Sequence, residues 1–123
     1  MNVNILKTKE YYNTLLETDL CDCGYCRNYR TEVKSAYPNV ATYLESLGID
    51  INKTFETSPL EVDERGMLDY LGCQYIVFGN SKIDYYHKID DVEFRIATSY
   101  PKTNIKEEHF VLELFPIRLI YNQ

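Results

Sequence analysis

The spacing of apolar residues changes near Leu47 of this 123-residue chain. From Gly24 to that point apolar side chains recur every three or four residues, as on one face of a helix; after Ile51 they recur every two, as on one face of a strand. Parallel strands need a long and usually helical crossover, and no helical spacing interrupts the second half. The expected fold is therefore α+β, with two N-terminal helices packed on one face of a mainly antiparallel sheet of four or five strands. No repeat or linker divides the sequence, and neither half can bury its apolar face alone. Residues 1–123 read as a single domain.

The helices can be placed by their punctuation. From Gly24 to about Tyr37, Cys26, Tyr29, Val33, Ala36 and Tyr37 form an apolar stripe with Arg27, Arg30 and Lys34 beside it. Pro38 suits a first helical position, Val40, Tyr43, Leu44 and Leu47 continue the stripe, and Gly48 stands where a left-handed cap is needed. Asn2 to Leu6 alternates and reads as an edge strand. Thr54 to Val62 reads as an edge or interrupted strand because of Pro59, followed by a turn at Glu64-Arg65-Gly66. Leu68 to Phe78 reads as central, with Leu71, Cys73, Tyr75 and Val77 on one face and Tyr70, Ile76 and Phe78 on the other. Val92, Phe94, Ile96 and Thr98 alternate with polar neighbours. In the last strand, Phe110 to Ile120, the inward set Phe110, Leu112 and Leu114 passes out of phase to Ile117 and Leu119, which implies a bulge near Pro116.

Three of the four cysteines lie within six residues, Cys21-Asp22-Cys23-Gly24-Tyr25-Cys26, at the start of the first helix. Helix N-terminal amides and nearby cations stabilise thiolates, and Arg27 and Arg30 lie within a turn of Cys26. Two chemistries use such a cluster. Zinc would take Cys21, Cys23 and Cys26 and require a fourth ligand, for which Cys73, His87, His109 and Asp22 are the candidates. A thiol–disulfide oxidoreductase would use Cys23-Gly24-Tyr25-Cys26, and it is the only enzymatic reading with a local motif. Its context is poor: Leu15 to Leu20 does not read as a buried parallel strand, and no helix closes the chain. The plain alternative is that reduced cysteines pack a loop and helix start against the sheet.

The run Cys21 to Tyr29, followed by Leu44-Glu45-Ser46-Leu47-Gly48-Ile49-Asp50, resembles a group of small uncharacterised bacterial proteins. Their signature is Cys-x-Cys-x-x-Cys-Arg-Asn-aromatic, then Leu-Gly-Ile-Asp. The resemblance covers mainly residues 20 to 60 and implies no activity. It marks Arg27 and Asn28 as candidates for a ligand site or a helix-start hydrogen-bond network.

Charge narrows the partners. Before Tyr37 there are 5 basic and 5 acidic residues, and from it onward 8 basic and 14 acidic, so the net charge of −6 lies wholly in the second part. That balance opposes nucleic-acid binding. No apolar run reaches the roughly 18 residues of a membrane helix, and Met1 to Glu10 has no signal-peptide stretch, so a cytoplasmic location without membrane contact is expected. Tyr85, Tyr86 and His87, on an expected loop after Gly79-Asn80-Ser81, form a candidate partner surface. The favoured function at this level is a non-catalytic binding or interaction module, its acidic sheet half engaging a protein or small polar ligand. Metal or thiol chemistry at Cys21, Cys23 and Cys26 is the alternative.

Overall fold

A computed structural model describes residues Met1–Gln123. Both expected helices form, as α2 (Gly24–Ala36) and α3 (Pro38–Ser46). α3 ends as its sequence predicts. Gly48 has φ +86°, its N–H reaches the Glu45 carbonyl, and the Ile49 N–H reaches that of Leu44. This is the Schellman closure. A side chain at Gly48 would also meet the Ile5 carbonyl at 2.6 Å. Tyr29 and Val33 of α2 and Val40, Ala41 and Leu44 of α3 are buried; Ala36, counted in the stripe, is exposed.

A third helix stands where the edge strand was expected. Only Asn2–Val3 is extended (β1), and α1 spans Ile5–Thr14. Asn4 caps it, accepting from the Lys7 N–H at 3.1 Å. Ile5 and Leu6, whose apolar character suggested a strand, are exposed, and the buried residues of α1 are Thr8 and Tyr12. Both are tied to one strand: the Thr8 hydroxyl accepts from the Phe78 N–H at 3.1 Å, and the Tyr12 hydroxyl donates to the Ile76 carbonyl at 2.8 Å. A short 3-10 turn follows at Glu17–Asp19.

The sheet is curled and wholly antiparallel, and it has seven strands rather than four or five. β3 (Met67–Asn80) is its spine. Along one edge it pairs with β1 and β2 (Glu56–Pro59), and along the other with β6 (His109–Phe115) and β7 (Ile117–Ile120). β5 (Val92–Ile96) pairs with β6, and β4 (Tyr86–Ile89) closes the order. β4 begins inside the segment expected to be a loop, so Tyr86 and His87 belong to a hairpin that turns at Asp90, φ +53°.

The out-of-phase step at Pro116 is present, but not as the expected bulge, because β3 shares it. Leu68, Tyr70, Cys73, Tyr75 and Val77 lie in the main core with Phe110, Leu112, Leu114, Ile117 and Leu119. Each strand therefore skips two residues between core positions, 71–72 on one and 115–116 on the other. Pairing runs Tyr70 to Ile117 before the skip and Cys73 to Leu114 after it, so the register is unchanged. Leu71, expected to face the core, is 56% exposed, while Val77 is fully buried. Pro116 has no N–H for the ladder, and the Glu113 side chain lies 2.9 Å from where a Gly72 Cβ would stand. β2 meets the same place with a register shift between Thr57 and Pro59.

The main core joins 21 buried residues from α1, α2, α3, the Ile49–Ile51 connection and strands β3, β5, β6 and β7. Each large apolar side chain in it contributes about 1.5–3 kcal/mol by leaving water. Ile76, Phe78, Ala97 and Val111 form a smaller cluster on the opposite face of the sheet. The buried hydroxyls are satisfied in series: Tyr75 donates to the Ile51 carbonyl at 2.7 Å and accepts from Tyr29 at 2.6 Å. No helix is long and apolar enough to cross a membrane.

Candidate metal centre

Cys23 is the N-cap of α2, and its sulfur accepts from the Cys26 N–H at 3.4 Å. Cys26 lies one turn on, and Cys21 reaches the same point from the preceding loop. The three sulfurs lie within 4.8 Å of one another. The loop is held by side chains rather than by packing. Arg30 donates to the Cys21 carbonyl at 2.7 Å, and Arg27 donates to the Asp22 carbonyl and stands 3.5 Å from the Asp22 carboxylate. Two guanidinium groups thus fix the loop backbone and place positive charge beside it.

The floor comes from the bent part of the sheet. The Thr57 hydroxyl of β2 is 3.9 Å from the Cys26 sulfur, and the Tyr70 hydroxyl of β3 donates to the Tyr25 carbonyl at 2.6 Å. Tyr121, just after β7, lies edge-on to Tyr25, its hydroxyl 2.8 Å from where a Gly24 Cβ would stand. Nothing local in the sequence connects Thr57, Tyr70 or Tyr121 to the cysteines. Arg30 was legible through its helical spacing alone.

The sulfurs differ in environment. Cys21 and Cys23 are exposed and Cys26 is half-buried. The Cys26 amide pointing at the Cys23 sulfur is the main cause of that thiol's lowered pKa, helped by the thiols of Cys26 and Cys21. Burial pushes the Cys26 thiol up to about 12, and its contacts with Cys21 and Cys23 act in the same direction.

The other expected site residues fall elsewhere. Cys73 is fully buried in the core, where burial raises its pKa far above the usual thiol range. His109 is held between the Thr103 hydroxyl and the Glu107 carbonyl, each at 2.8 Å, and His87 packs against Tyr43 and Phe94, which also touch each other. Asn28 is engaged by the C-terminal segment, donating to the Ile120 carbonyl at 2.9 Å and accepting from the Asn122 N–H at 2.8 Å. Tyr85 is half-buried with its hydroxyl 2.9 Å from that of Tyr43, while Tyr86 is exposed and donates to Glu93. Of Tyr85, Tyr86 and His87, only Tyr86 presents an exposed ring to solvent.

Three thiolates at this separation suit a borderline-soft ion. A zinc–sulfur bond of about 2.3 Å puts tetrahedral sulfurs roughly 3.8 Å apart. The sulfurs found here, within 4.8 Å of one another, stand at most about 1 Å beyond that spacing. Comparisons with protein families, curated proteins and solved structures find no match to this chain.

Proposed function

We propose that this is a non-catalytic metal-binding protein, in which Cys21, Cys23 and Cys26 hold a zinc ion as thiolates on a fold whose helices α2 and α3 form a layer over one face of the sheet. The observation that carries the reading is the convergence of three sulfurs from a loop, an N-cap and a first helical turn. Arg27 and Arg30 offset the negative charge of the ligand set, and the Cys26 amide and the Thr57 hydroxyl are hydrogen-bond donors to its sulfurs. The test is elemental analysis of protein purified without chelator, with zinc titration in competition with a chromophoric chelator. One ion per chain is expected, and serine at 21, 23 or 26 abolishes stoichiometric binding while Cys73→Ser retains it. Protein that takes up no zinc, or whose uptake survives all three single substitutions, refutes the reading.

Thiol–disulfide exchange is the second reading, favoured by an exposed Cys23 that opens a helix and a half-buried Cys26 one turn later. The sheet counts against it, because every pairing is antiparallel and no buried parallel strand feeds α2. Turnover of a protein disulfide with dithiothreitol, lost in Cys23→Ser, is the assay that separates the two.

A further inference from the structure

Resting on the zinc reading above, we infer that the fourth ligand is a thiolate supplied by another molecule, so that the metal centre is a docking point for thiols. The chain has 4 Cys and 2 His, and none outside the trio is free to complete the shell. Cys73 is sealed in the core. His109 pairs with Phe78, five residues along β3 from Cys73, or about 16 Å at 3.3 Å per residue. His87 lies on β4, and β5, β6 and β3 separate that strand from Thr57 on β2. No Asp or Glu joins the three sulfurs, and Asp22 faces Arg27. Cys21 and Cys23 are exposed, so the approach is open.

Charge and softness select the incoming group. Zinc with three thiolates carries one negative charge and with four carries two; Arg27 is paired with the Asp22 carboxylate, which leaves the Arg30 guanidinium at the Cys21 carbonyl to face the added charge. Arg30 and the positive end of α2, which Cys23 caps, favour an anion over neutral imidazole, and a centre already bound by sulfur takes thiolate before carboxylate. In the docking step the thiol proton passes to solvent, the sulfur–metal bond forms and solvent leaves the fourth position. No electrons are transferred.

Cobalt(II) is the probe, since its sulfur-to-metal charge-transfer absorbance grows with each bound thiolate. Full-length protein loaded with one equivalent should show the intensity of three thiolates. 2-Mercaptoethanol should raise it by about a third, from three sulfurs to four, while acetate and imidazole leave it unchanged. A cysteine-containing peptide that saturates at lower concentration than 2-mercaptoethanol assigns the thiol to a protein partner; equal saturation assigns it to a small molecule. Arg30→Gln should raise the half-saturating thiol concentration about two- to fivefold, as loss of one partly exposed charge requires, and Arg30→Lys should restore it. Four-thiolate intensity before thiol is added, no response to thiol, or an equal response to imidazole overturns the inference and leaves the metal reading intact. Absence of cobalt uptake, or uptake unaffected by Cys21→Ser, removes the metal reading itself.

Discussion

Replacing Asn28 by Ala should detach the C-terminal segment from α2. Asn28 is fully buried, and its amide substitutes for a neighbouring strand: the NH2 donates to the Ile120 carbonyl at 2.9 Å and the carbonyl accepts from the Asn122 N–H at 2.8 Å. Each such bond is worth about 0.5–1.5 kcal/mol net, and a group left buried without a partner costs about 1–3 kcal/mol. The bond to the Ile120 carbonyl is only part-buried, so water partly replaces the lost donor, and the lower end of that range applies on this side. The expected loss is about 2 kcal/mol in all. Urea unfolding should show a lower midpoint with an unchanged slope, since little additional surface changes state. Hydrogen exchange should speed up at the Asn122 amide while the Ile76 and Val77 amides at the centre of β3 keep near-native protection. Asn28→Asp should be at least as costly as Ala, because it keeps the acceptor for Asn122 but turns a carboxylate toward the Ile120 carbonyl. A loss below about 0.5 kcal/mol, the range of an ordinary surface change, or unaltered exchange at Asn122, would refute the role of Asn28 as a strand substitute.

Leu44→Ala and Phe94→Ala should each cost about 2–5 kcal/mol in chemical denaturation, because both side chains are fully buried and leave cavities. Leu71→Ala should stay within about 0.5 kcal/mol of the parent by the same assay, since its side chain projects into solvent. Asp63 accepts from the Met67 and Arg65 amides and from Arg118, and these contacts hold its carboxyl below its ordinary value of 3.8. With the folded value depressed, its stabilisation is present above pH 3.8 and is lost as pH falls through the lower folded value; acid unfolding curves of Asp63→Asn should lack that component. In metal-free protein iodoacetamide should modify Cys23 faster than Cys26 and far faster than Cys73, as their exposure and the Cys23 amide contact require, and comparable rates at all three would contradict the geometry.

What the sequence reveals follows from how local each determinant is. α2 and α3 are legible because stripe, proline and capping glycine all lie within the element they define. α1 is not, because Thr8 and Tyr12 are fixed by Phe78 and Ile76, some 64 to 70 residues away, while its conspicuous apolar residues point outward. The phase step is readable at Pro116, because a proline stands between the two out-of-phase apolar sets and His109, Glu113 and Arg118 mark the outward face. It is hidden at Leu71 because both faces of β3 are apolar and either alternation satisfies the pattern. The cysteines are readable as a group because they are sequence neighbours. Their surroundings, Thr57, Tyr70 and Tyr121, are assembled only by the bend in the sheet.

The matched skip at 71–72 and 115–116 also governs which changes of chain length this protein tolerates. Deleting Leu71 alone would put Tyr70 and Cys73 two positions apart, in ordinary alternation, but would leave two residues facing one across the ladder and carry the rest of the ladder out of step. Deleting Leu71 and Pro116 together keeps every partner from Met67–Ile120 to Phe78–His109 and every core residue inward. The double deletion therefore produces a straighter, regular sheet with an intact interior. Its cost falls on the cysteine loop, since Thr57 and Tyr70 approach α2 from the kinked stretch that the deletion flattens. Folding and thiolate assembly can thus be uncoupled by two single-residue deletions made as a pair, and homologous chains that differ in length here should gain or lose residues on both strands at once.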